Sequence, residues 1–456
     1  MKRLFWGSTF LTVFFVSLFL PKDAAAIPAF SRKYKTACMT CHTVFPKLSA
    51  LGEAFRLNGY KLPDADELYV KDQPVSLGAE PYKKVFPQSI WPSDIPGMPP
   101  LSIRATGGVN VNSGDANGTD SSNTQFNFPG EIDLLAAGAL GKDFSFFVNL
   151  AFTTESGTTT AEGQAWLMWQ NLLSGILGKN HLNIKAGNVG RQSIALPNSR
   201  DENSFTINGY QYQDVLGLGP QPGFQVNGFG SRWRYYAGIV QANSDSSSKD
   251  YYGGLSFKLG GLGYDGSGLK SEEGGLTTSP SGFWRDDSIL FGLFGYRGFT
   301  GQNADKDDRY GADLRINFKD FSLGGGYIRE KADASTSAPV DTTATGAMKR
   351  LFELTQRRFS LLDESTATDT TKNLWFAEGH YFLFPWLIPY ARYEALTVDT
   401  NDQDQARIIG GIAFLLRANI KLNVEYLYYT TNQPREAAGQ GKHADDRLSF
   451  LLDFVF

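Results

Sequence analysis

Apolar and polar residues alternate with a period of two along most of the chain after Leu101. Segments 148–152 and 422–426 place an apolar side chain at every second position, as strands with one apolar and one wet face do. Residues 312–318 repeat the pattern, with Ala, Leu, Ile and Phe interleaved by Asp, Arg and Asn. Because sandwich domains are shorter and seldom run this far without a domain break, the pattern predicts one large antiparallel β-barrel.

About sixteen strand-length segments can be placed, an even number that returns both ends of the barrel chain to the periplasmic side. They cover residues 101–112, 125–139, 144–154, 161–170, 181–189, 222–230, 232–243, 250–260, 287–298, 308–318, 321–332, 373–384, 387–398, 405–416, 420–431 and 446–456. The short connections 141–143 and 319–320 are predicted periplasmic turns. The stretches predicted as long outer loops are 113–124, 190–221, 261–286 and 333–372.

The final strand carries the sharpest barrel pattern. Its apolar residues alternate up to the last position, at Leu448, Phe450, Leu452, Phe454 and Phe456. This resembles the terminal signature by which bacterial outer-membrane barrels are recognised for insertion. The pattern therefore predicts a barrel embedded in outer-membrane lipid.

The composition agrees with strands that are apolar on one face only. The chain has 49 glycines, 20 tyrosines, 34 phenylalanines and 8 tryptophans, with a slightly negative mean hydropathy. Several aromatic residues fit the girdles at the two membrane interfaces, although each taken singly also fits core packing. These girdle candidates are Trp166, Trp169, Trp375, Phe376, Phe384, Trp386, Tyr426, Tyr428 and Tyr429. The formal net charge of −4 gives no indication of nucleic-acid binding.

The first residues predict export across the inner membrane. Lys2 and Arg3 precede an apolar run over residues 4–20, and three alanines at 24–26 suit a cleavage site. A retained membrane helix is the alternative, but small and polar residues interrupt the run and Pro21 ends it. The pattern favours a signal peptide over residues 1–26, cleaved during export to the bacterial outer membrane.

The only two cysteines of the chain stand in one pentapeptide, Cys38-Met39-Thr40-Cys41-His42. Cys-x-x-Cys-His is the spacing of c-type haem attachment. Each thiol can add to one vinyl group of a haem, while the imidazole of the following residue coordinates the iron. The motif predicts one covalent haem c held by Cys38 and Cys41, with His42 as the proximal iron ligand.

Two other uses of paired cysteines fit less well. A zinc site needs two further nitrogen or sulfur ligands, but there is no third cysteine and the remaining histidines are far away in sequence. Those histidines are His181, His380 and His443. A thioredoxin-like redox pair belongs beside a βαβ pattern, which the surrounding sequence lacks.

The residues after the motif predict a short helix with an apolar face toward the haem. Pro46 suits the first helical position, and Asn58 with Gly59 suits a left-handed terminus. The apolar face is formed by Leu48, Leu51 and Phe55. An ordinary amphipathic helix is equally compatible with this pattern.

A methionine before the first strand is the candidate for the sixth iron ligand. Residues 95–100 read Ile-Pro-Gly-Met-Pro-Pro and resemble the methionine-ligand loops of small monohaem cytochromes. Methionine ligation raises the reduction potential of a haem. Met98 is therefore the predicted distal ligand; the alternative is that its neighbouring prolines only lead into the strand at Leu101. Met39 lies within the attachment loop, and Met168 and Met348 require tertiary proximity.

Acidic clusters lie near several strand ends, over residues 286–287, 305–308 and 399–404. They could concentrate cations electrostatically. Loops facing water carry the same residues, and hard cations need converging oxygens that a sequence does not show. The clusters by themselves therefore do not predict a specific iron-binding site.

The N-terminal part of the chain resembles the fused outer-membrane monohaem cytochrome-porins, which include the outer-membrane iron oxidases of iron-oxidising bacteria. The matching residues are the stretches 28–34 and 38–48, then Gly52, Phe55 and the tripeptide 58–60. The resemblance implies a haem domain inside a porin that passes electrons from an extracellular donor, often ferrous iron, to a periplasmic carrier such as a soluble c-type cytochrome. Roles of individual residues are carried over from this resemblance only for Cys38, Cys41 and His42.

Together these patterns predict a signal peptide over 1–26, a monohaem cytochrome c domain with short α-helices over 27–100, and an outer-membrane β-barrel over 101–456. The leading function is electron transfer between an extracellular donor or acceptor and periplasmic carriers. A solute porin with a structural or sensory haem, electron export, and a haem enzyme with an open iron site are the alternatives. Barrels of this size often form trimers, which leaves a homo-oligomer open.

Overall fold

The fold was analysed in a computed structural model of the chain. It describes residues 28–63, 66–71, 74–75, 80–91, 94–97, 99–115, 120–155, 158–189, 205–210, 220–242, 248–269, 271–272, 275–276, 284–300, 305–333, 370–399, 404–430 and 446–456. The predicted signal peptide, Met98 and most of the predicted outer loops 190–221 and 333–372 lie outside the described residues.

Sixteen antiparallel strands close into one barrel, in which the last strand pairs with the first. The strands are β1 Leu101–Asp115, β2 Asp120–Leu140, β3 Phe144–Glu155, β4 Thr158–Trp169, β5 Asn183–Val189, β6 Gln221–Phe229, β7 Trp233–Gln241, β8 Lys249–Gly260, β9 Ser288–Thr300, β10 Asp305–Phe318, β11 Phe321–Ala332, β12 Thr370–Tyr381, β13 Leu387–Val398, β14 Gln405–Arg417, β15 Ile420–Tyr429 and β16 Asp446–Val455. Every predicted strand overlaps one of these. The fold class and the strand number are confirmed.

The even strand number places the start of β1 and the end of β16 at one end of the barrel, here called the terminal end. The opposite end is called the loop end. The turns at 141–143 and 319–320 lie at the terminal end, as predicted, because each follows a strand that runs toward it.

Two of the predicted outer loops are wrong. Residues 261–286 connect β8 to β9 and therefore lie at the terminal end, since strand alternation, and not loop length, decides the side. Residues 113–124 are mostly strand, because β1 and β2 continue pairing to Asp115 and Asp120. Their asparagines and serines are typical of turns, but here they extend a polar hairpin at the loop end.

Alternate strand positions face outward and form an apolar outer surface. In β10, Leu314, Ile316 and Phe318 are exposed, whereas Asp313, the neighbour of Leu314 on the other face, is buried. The last strand follows the same rule, with Phe450 and Phe456 exposed while Ser449, Asp453 and Val455 are buried. An exposed apolar set on this scale is what a barrel presents to hydrocarbon.

The girdle candidates divide into two groups. Trp169, Trp375, Phe384, Trp386, Tyr426 and Tyr428 are exposed on the outer surface, as predicted. For Trp166, Phe376 and Tyr429 the girdle prediction is wrong. Trp166 stacks inside the barrel, Phe376 is buried in a core cluster, and Tyr429 packs against a second core cluster. Each is an odd number of positions from its outward neighbour, so strand alternation turns it to the lumen.

The N-terminal segment is built from short elements. Its helices are α1 Ala29–Tyr34, α2 Ala50–Leu57, α3 Asp66–Tyr69 and α4 Glu80–Val85, and strand His42–Val44 pairs with Lys47–Leu48. Because that pairing makes Phe45 and Pro46 a hairpin turn, the prediction that Pro46 starts the helix is wrong. Ser49 caps α2 instead. Among the described residues, no helix combines the length and apolarity needed to cross a membrane.

Residues 42–60 lie inside the barrel toward its terminal end. Glu53 pairs with Arg234 of β7 at 2.8 Å, and the Phe45 carbonyl accepts a hydrogen bond from Lys421 of β15 at 2.7 Å. Tyr60 stacks on Trp166 of β4. These strands lie on different sides of the wall, so the segment fills the lumen between them. Residues 42–60 are referred to below as the plug.

Candidate haem-binding site

The two cysteine side chains are brought together by one turn of 3₁₀-helix. This turn spans Cys38–Thr40, and the Cys41 N–H donates to the Cys38 carbonyl at 3.2 Å. Side chains three positions apart eclipse one another in a 3₁₀-helix. Both cysteines are free and half-buried. The turn therefore presents two thiols side by side, as attachment to two vinyl groups of one ring requires.

His42 is oriented by its own hairpin. Its Nδ1 lies 2.9 Å from the Pro46 carbonyl oxygen. Because a carbonyl only accepts hydrogen bonds, Nδ1 carries the proton and Nε2 keeps its lone pair for a metal. Burial lowers the pKa of His42 to about 4, so the ring is neutral at pH 7. Neutral imidazole is the form that coordinates iron.

Burial also keeps the thiols protonated. It raises the pKa of Cys38, and it raises the pKa of Cys41 to about 12, with Cys38 adding to the effect. The Tyr34 ring adjoins this site, and its hydroxyl donates to Asp66 at 2.6 Å. The chain thus holds two thiols and an oriented imidazole in one enclosed place, and this set fits a covalent haem c.

Helix α2 is pressed directly against the motif backbone. Ser49 binds the motif twice, through its N–H to the Cys41 carbonyl at 2.9 Å and through its hydroxyl to the Thr40 carbonyl at 3.2 Å. The same hydroxyl accepts a hydrogen bond from the Gly52 N–H at 3.1 Å. A Cβ on Gly52 would stand 1.9 Å from the Cys41 oxygen. Only glycine permits this approach.

Gly52→Ala is expected to destabilise the plug by about 1–3 kcal/mol or more, because the clash is with rigid backbone. Thermal unfolding followed by near-UV circular dichroism measures the loss, and haem content should fall with it. Gly175→Ala is the matched control, since a Cβ there meets nothing within 4 Å in the helix α5 Ser174–Leu177. Equal melting temperatures for the two variants would contradict the packing described here.

Leu51 and Phe55 of α2 pack as predicted, against rings of the same segment. For Leu48 the helix prediction is wrong, because it lies in the strand Lys47–Leu48 before the helix. Leu51 and Phe55 are buried, and the Phe55 ring meets Phe30 edge-on at 4.9 Å. Gly59 has a φ of +68°, which confirms the left-handed terminus. Tyr60 then stacks on Phe147 and Trp166 of the wall in a continuous aromatic cluster between the motif and strands β3 and β4.

Charged residues of the wall surround the other side of the motif. Asp453 of β16 binds Arg104 at 3.0 Å and Lys421 at 3.2 Å. Arg104 also pairs with Asp133 of β2 at 3.2 Å and lies over the Phe45 ring. The network ties β1, β2, β15 and β16 together where the plug meets them.

A segment from the loop end reaches the plug inside the lumen. Residues 205–210 lie between β5 and β6, and Glu425 of β15 accepts hydrogen bonds from the Ile207 and Asn208 N–H groups at 2.8 and 2.9 Å. Arg392 donates to Thr206 at 3.0 Å. Phe205 packs in one buried cluster with Val44, two residues beyond His42.

Of the predicted site residues, the structure brings together Cys38, Cys41 and His42. Met98 lies outside the described residues, and its ligand role stays a prediction. Met168 is buried on β4 near Asn227. His380 was set aside as distant in sequence, yet it lies in the lumen with its ring 5.3 Å from Phe205. The only signal in the sequence that could have placed His380 in the lumen is its position on the inward-facing side of a predicted strand.

The acidic clusters bond to protein groups wherever they are described. Asp308 pairs with Arg297 at 2.7 Å, and Asp307 binds Arg309. Asp286 pairs with Lys258 at 2.7 Å and lies at the terminal end. Within the described ranges, no three His, Cys, Asp or Glu residues are grouped so that they could hold a metal ion.

Neither a protein-family model nor a curated protein matches this chain. Solved outer-membrane proteins resemble it in structure. The channel DcaP of Acinetobacter baumannii matches 78% of this chain and 96% of its own, with 12% identity and a TM-score of 0.48. OmpT of Vibrio cholerae matches 78% and 96%, with 10% identity and a TM-score of 0.47. Salmonella typhi OmpF matches 78% and 97%, with 11% identity and a TM-score of 0.46. Similarity at this level identifies no activity.

Proposed function

We propose that this protein is an outer-membrane electron-transfer protein with one covalent haem c in the terminal-end mouth of its barrel. It would exchange electrons between an extracellular donor, such as ferrous iron, and periplasmic carriers. The observation that carries the proposal is the paired thiols of Cys38 and Cys41 beside the oriented imidazole of His42, inside the barrel wall.

The outer surface supports the membrane location. Apolar side chains cover alternate strand positions, and tryptophans and tyrosines flank them. Transmembrane barrels show an outward apolar band with aromatic girdles at both interfaces. With the usual orientation of such barrels, the terminal end faces the periplasm and the loop end faces the outside.

The residues around the motif have separate roles in holding the haem. Cys38 and Cys41 would bind the ring through thioethers, and the Nε2 of His42 would bind the iron. The Pro46 carbonyl fixes the imidazole, and Gly52 lets α2 support the turn. When bound, haem c supplies reversible one-electron chemistry.

The contents of the lumen favour a conduit over a solute porin. An unfilled barrel of this size leaves an aqueous channel. Here the plug enters from the terminal end and residues 205–210 enter from the loop end, and the two meet at Val44 and Phe205. Such filling suits electron passage, which needs no open path for solutes.

The first experiment records the visible spectrum of the purified, oxidised protein before and after anaerobic addition of ferrous iron. Appearance of the reduced haem c bands supports ferrous iron as the donor. If the haem stays oxidised with iron but is reduced by dithionite, the electron-carrier proposal stands and ferrous iron is ruled out as the donor. A spectrum without haem contradicts the proposal.

A further inference from the structure

A cleft at the terminal end separates the plug from strands β8 to β12. The plug contributes Thr43, Lys47, Glu53 and Arg56 to its lining. The wall contributes Lys258, Arg315, Ser322, His380 and residues of the turn 319–320. None of the three predicted haem-binding residues lines this cleft, so it is distinct from the candidate haem site.

Every acidic residue that lines the cleft is already bound to a cation. Glu53 pairs with Arg234 at 2.8 Å, and Asp286 pairs with Lys258 at 2.7 Å. Asp320 binds Arg285 at 2.9 Å. The described lining has these three carboxylates and five basic side chains, so it carries an excess of positive charge.

Arg315 is the cation with an unused donor. It faces the lumen from β10, and its Nη2 atom is buried with no hydrogen-bond partner among the residues that the structure describes. A buried guanidinium N–H without an acceptor is unfavourable, so this donor is available to an acceptor from outside the chain.

Lys47 brings a second positive charge to the same place. Its side chain is 5% exposed. Lys47 lines the cleft from the plug, and Arg315 lines it from the wall. Two like charges held together in a buried cleft are stabilised by an anion placed between them.

We propose that this cleft binds an oxyanion group, a carboxylate or a phosphate, between Arg315 and Lys47. Guanidinium groups bind both kinds of oxyanion through charge-assisted, often bidentate hydrogen bonds, and an ammonium adds a point charge. Ser322 and Asn317 at the cleft wall provide further polar groups. The cleft is open to the terminal end, which gives an entry path.

The oxyanion has two possible sources. It is either a soluble anion from the aqueous phase or a propionate of the haem whose attachment motif precedes Lys47 by five residues. Only the second source rests on the proposed function, because it requires a haem. The oxyanion site itself does not depend on that function.

The test uses the full-length protein in detergent and inorganic phosphate as the probe. If the source is soluble, the melting temperature of the wild type rises with phosphate concentration, because a ligand of the native state stabilises it. Arg315→Gln should then raise the dissociation constant about tenfold or more, equal to ~1.4 kcal/mol. Lys142→Gln, an exposed charge on the turn 141–143 at the same end, should leave it unchanged.

If the source is a propionate, the wild type shows no phosphate response. Arg315→Gln then shifts the propionate bending band in the resonance Raman spectrum, whereas Lys142→Gln does not. Arg315→Lys retains the positive charge at this position. Comparing it with Arg315→Gln separates loss of the binding site from loss of folding. An equal phosphate response in the wild type and Arg315→Gln overturns the proposal. So does a wild type without a phosphate response whose propionate band is unchanged in Arg315→Gln. A haem-free protein that still responds to phosphate overturns only the proposed electron transfer.

Discussion

Replacing both motif cysteines by alanine is expected to remove all covalently bound haem while the barrel still forms. The thiols of Cys38 and Cys41 are the only ones in the chain, so no other residue can form the thioethers. Either single substitution should leave one bond and a lower yield. Haem staining after denaturing electrophoresis detects the covalent bond directly. A change in the protein's mobility on heating, seen on the same gel, shows that the barrel has folded.

Met39→Leu is the control for this pair, because it changes the attachment loop and leaves both thiols and His42 in place. It should keep full haem content. Covalent haem in the double alanine variant would contradict the assignment of the thiols. A wild type without haem after expression together with a c-type maturation system would contradict it as well.

Deleting residues 28–97 is expected to open the lumen to ions. The plug contacts strands on opposite sides of the wall, through Arg234 at one side and Lys421 at another. A barrel of sixteen strands without such a plug leaves an aqueous channel. In planar lipid bilayers the wild type should show no large conductance steps, and the deletion variant should show clear ones.

Residues 205–210 remain latched in the deletion variant by Glu425 and Arg392, so its steps should be smaller than those of an unobstructed barrel. The double cysteine variant keeps the plug and serves as the matched control, with conductance as low as the wild type. Large steps from the wild-type protein would favour the solute porin over the electron conduit.

Local patterns in the sequence were sufficient to predict the barrel. Each strand carries its own period-two signal, so alternation such as that of Leu314 and Ile316 could be assigned strand by strand. The Cys-x-x-Cys-His motif is equally local, because the three residues predicted to hold a haem lie within five consecutive positions. Turn geometry also followed from single residues, as at Gly59.

Features that depend on strand count or on long-range contacts were missed. The side of loop 261–286 follows from counting eight strands before it, and its length suggested the wrong end. Trp166 and Phe376 lie close in sequence to aromatic residues that face outward. Each is an odd number of positions away from such a residue, which turns its side chain to the opposite face of the strand. Pro46 was assigned to a helix because the pairing of His42–Val44 with Lys47–Leu48 is not visible in composition.

The cleft and the hydrogen bonds that hold residues 205–210 inside the barrel could not be predicted from the sequence. Arg315 and Lys47 are far apart along the chain and meet only when the plug enters the barrel. The same holds for Glu425, which binds the Asn208 N–H from a distant strand. No periodic pattern marks such pairs, since each partner by itself is an ordinary inward-facing charge of a barrel.

Electron transfer across a lipid bilayer is the most direct test of the central claim. Liposomes that contain the protein and enclose an oxidised soluble c-type cytochrome receive a membrane-impermeant reductant outside. Rapid reduction of the enclosed cytochrome with the wild type, and its absence with the Cys38→Ala and Cys41→Ala double variant, is the predicted result. Reduction no faster than in protein-free liposomes would contradict the assignment of this barrel as an electron conduit.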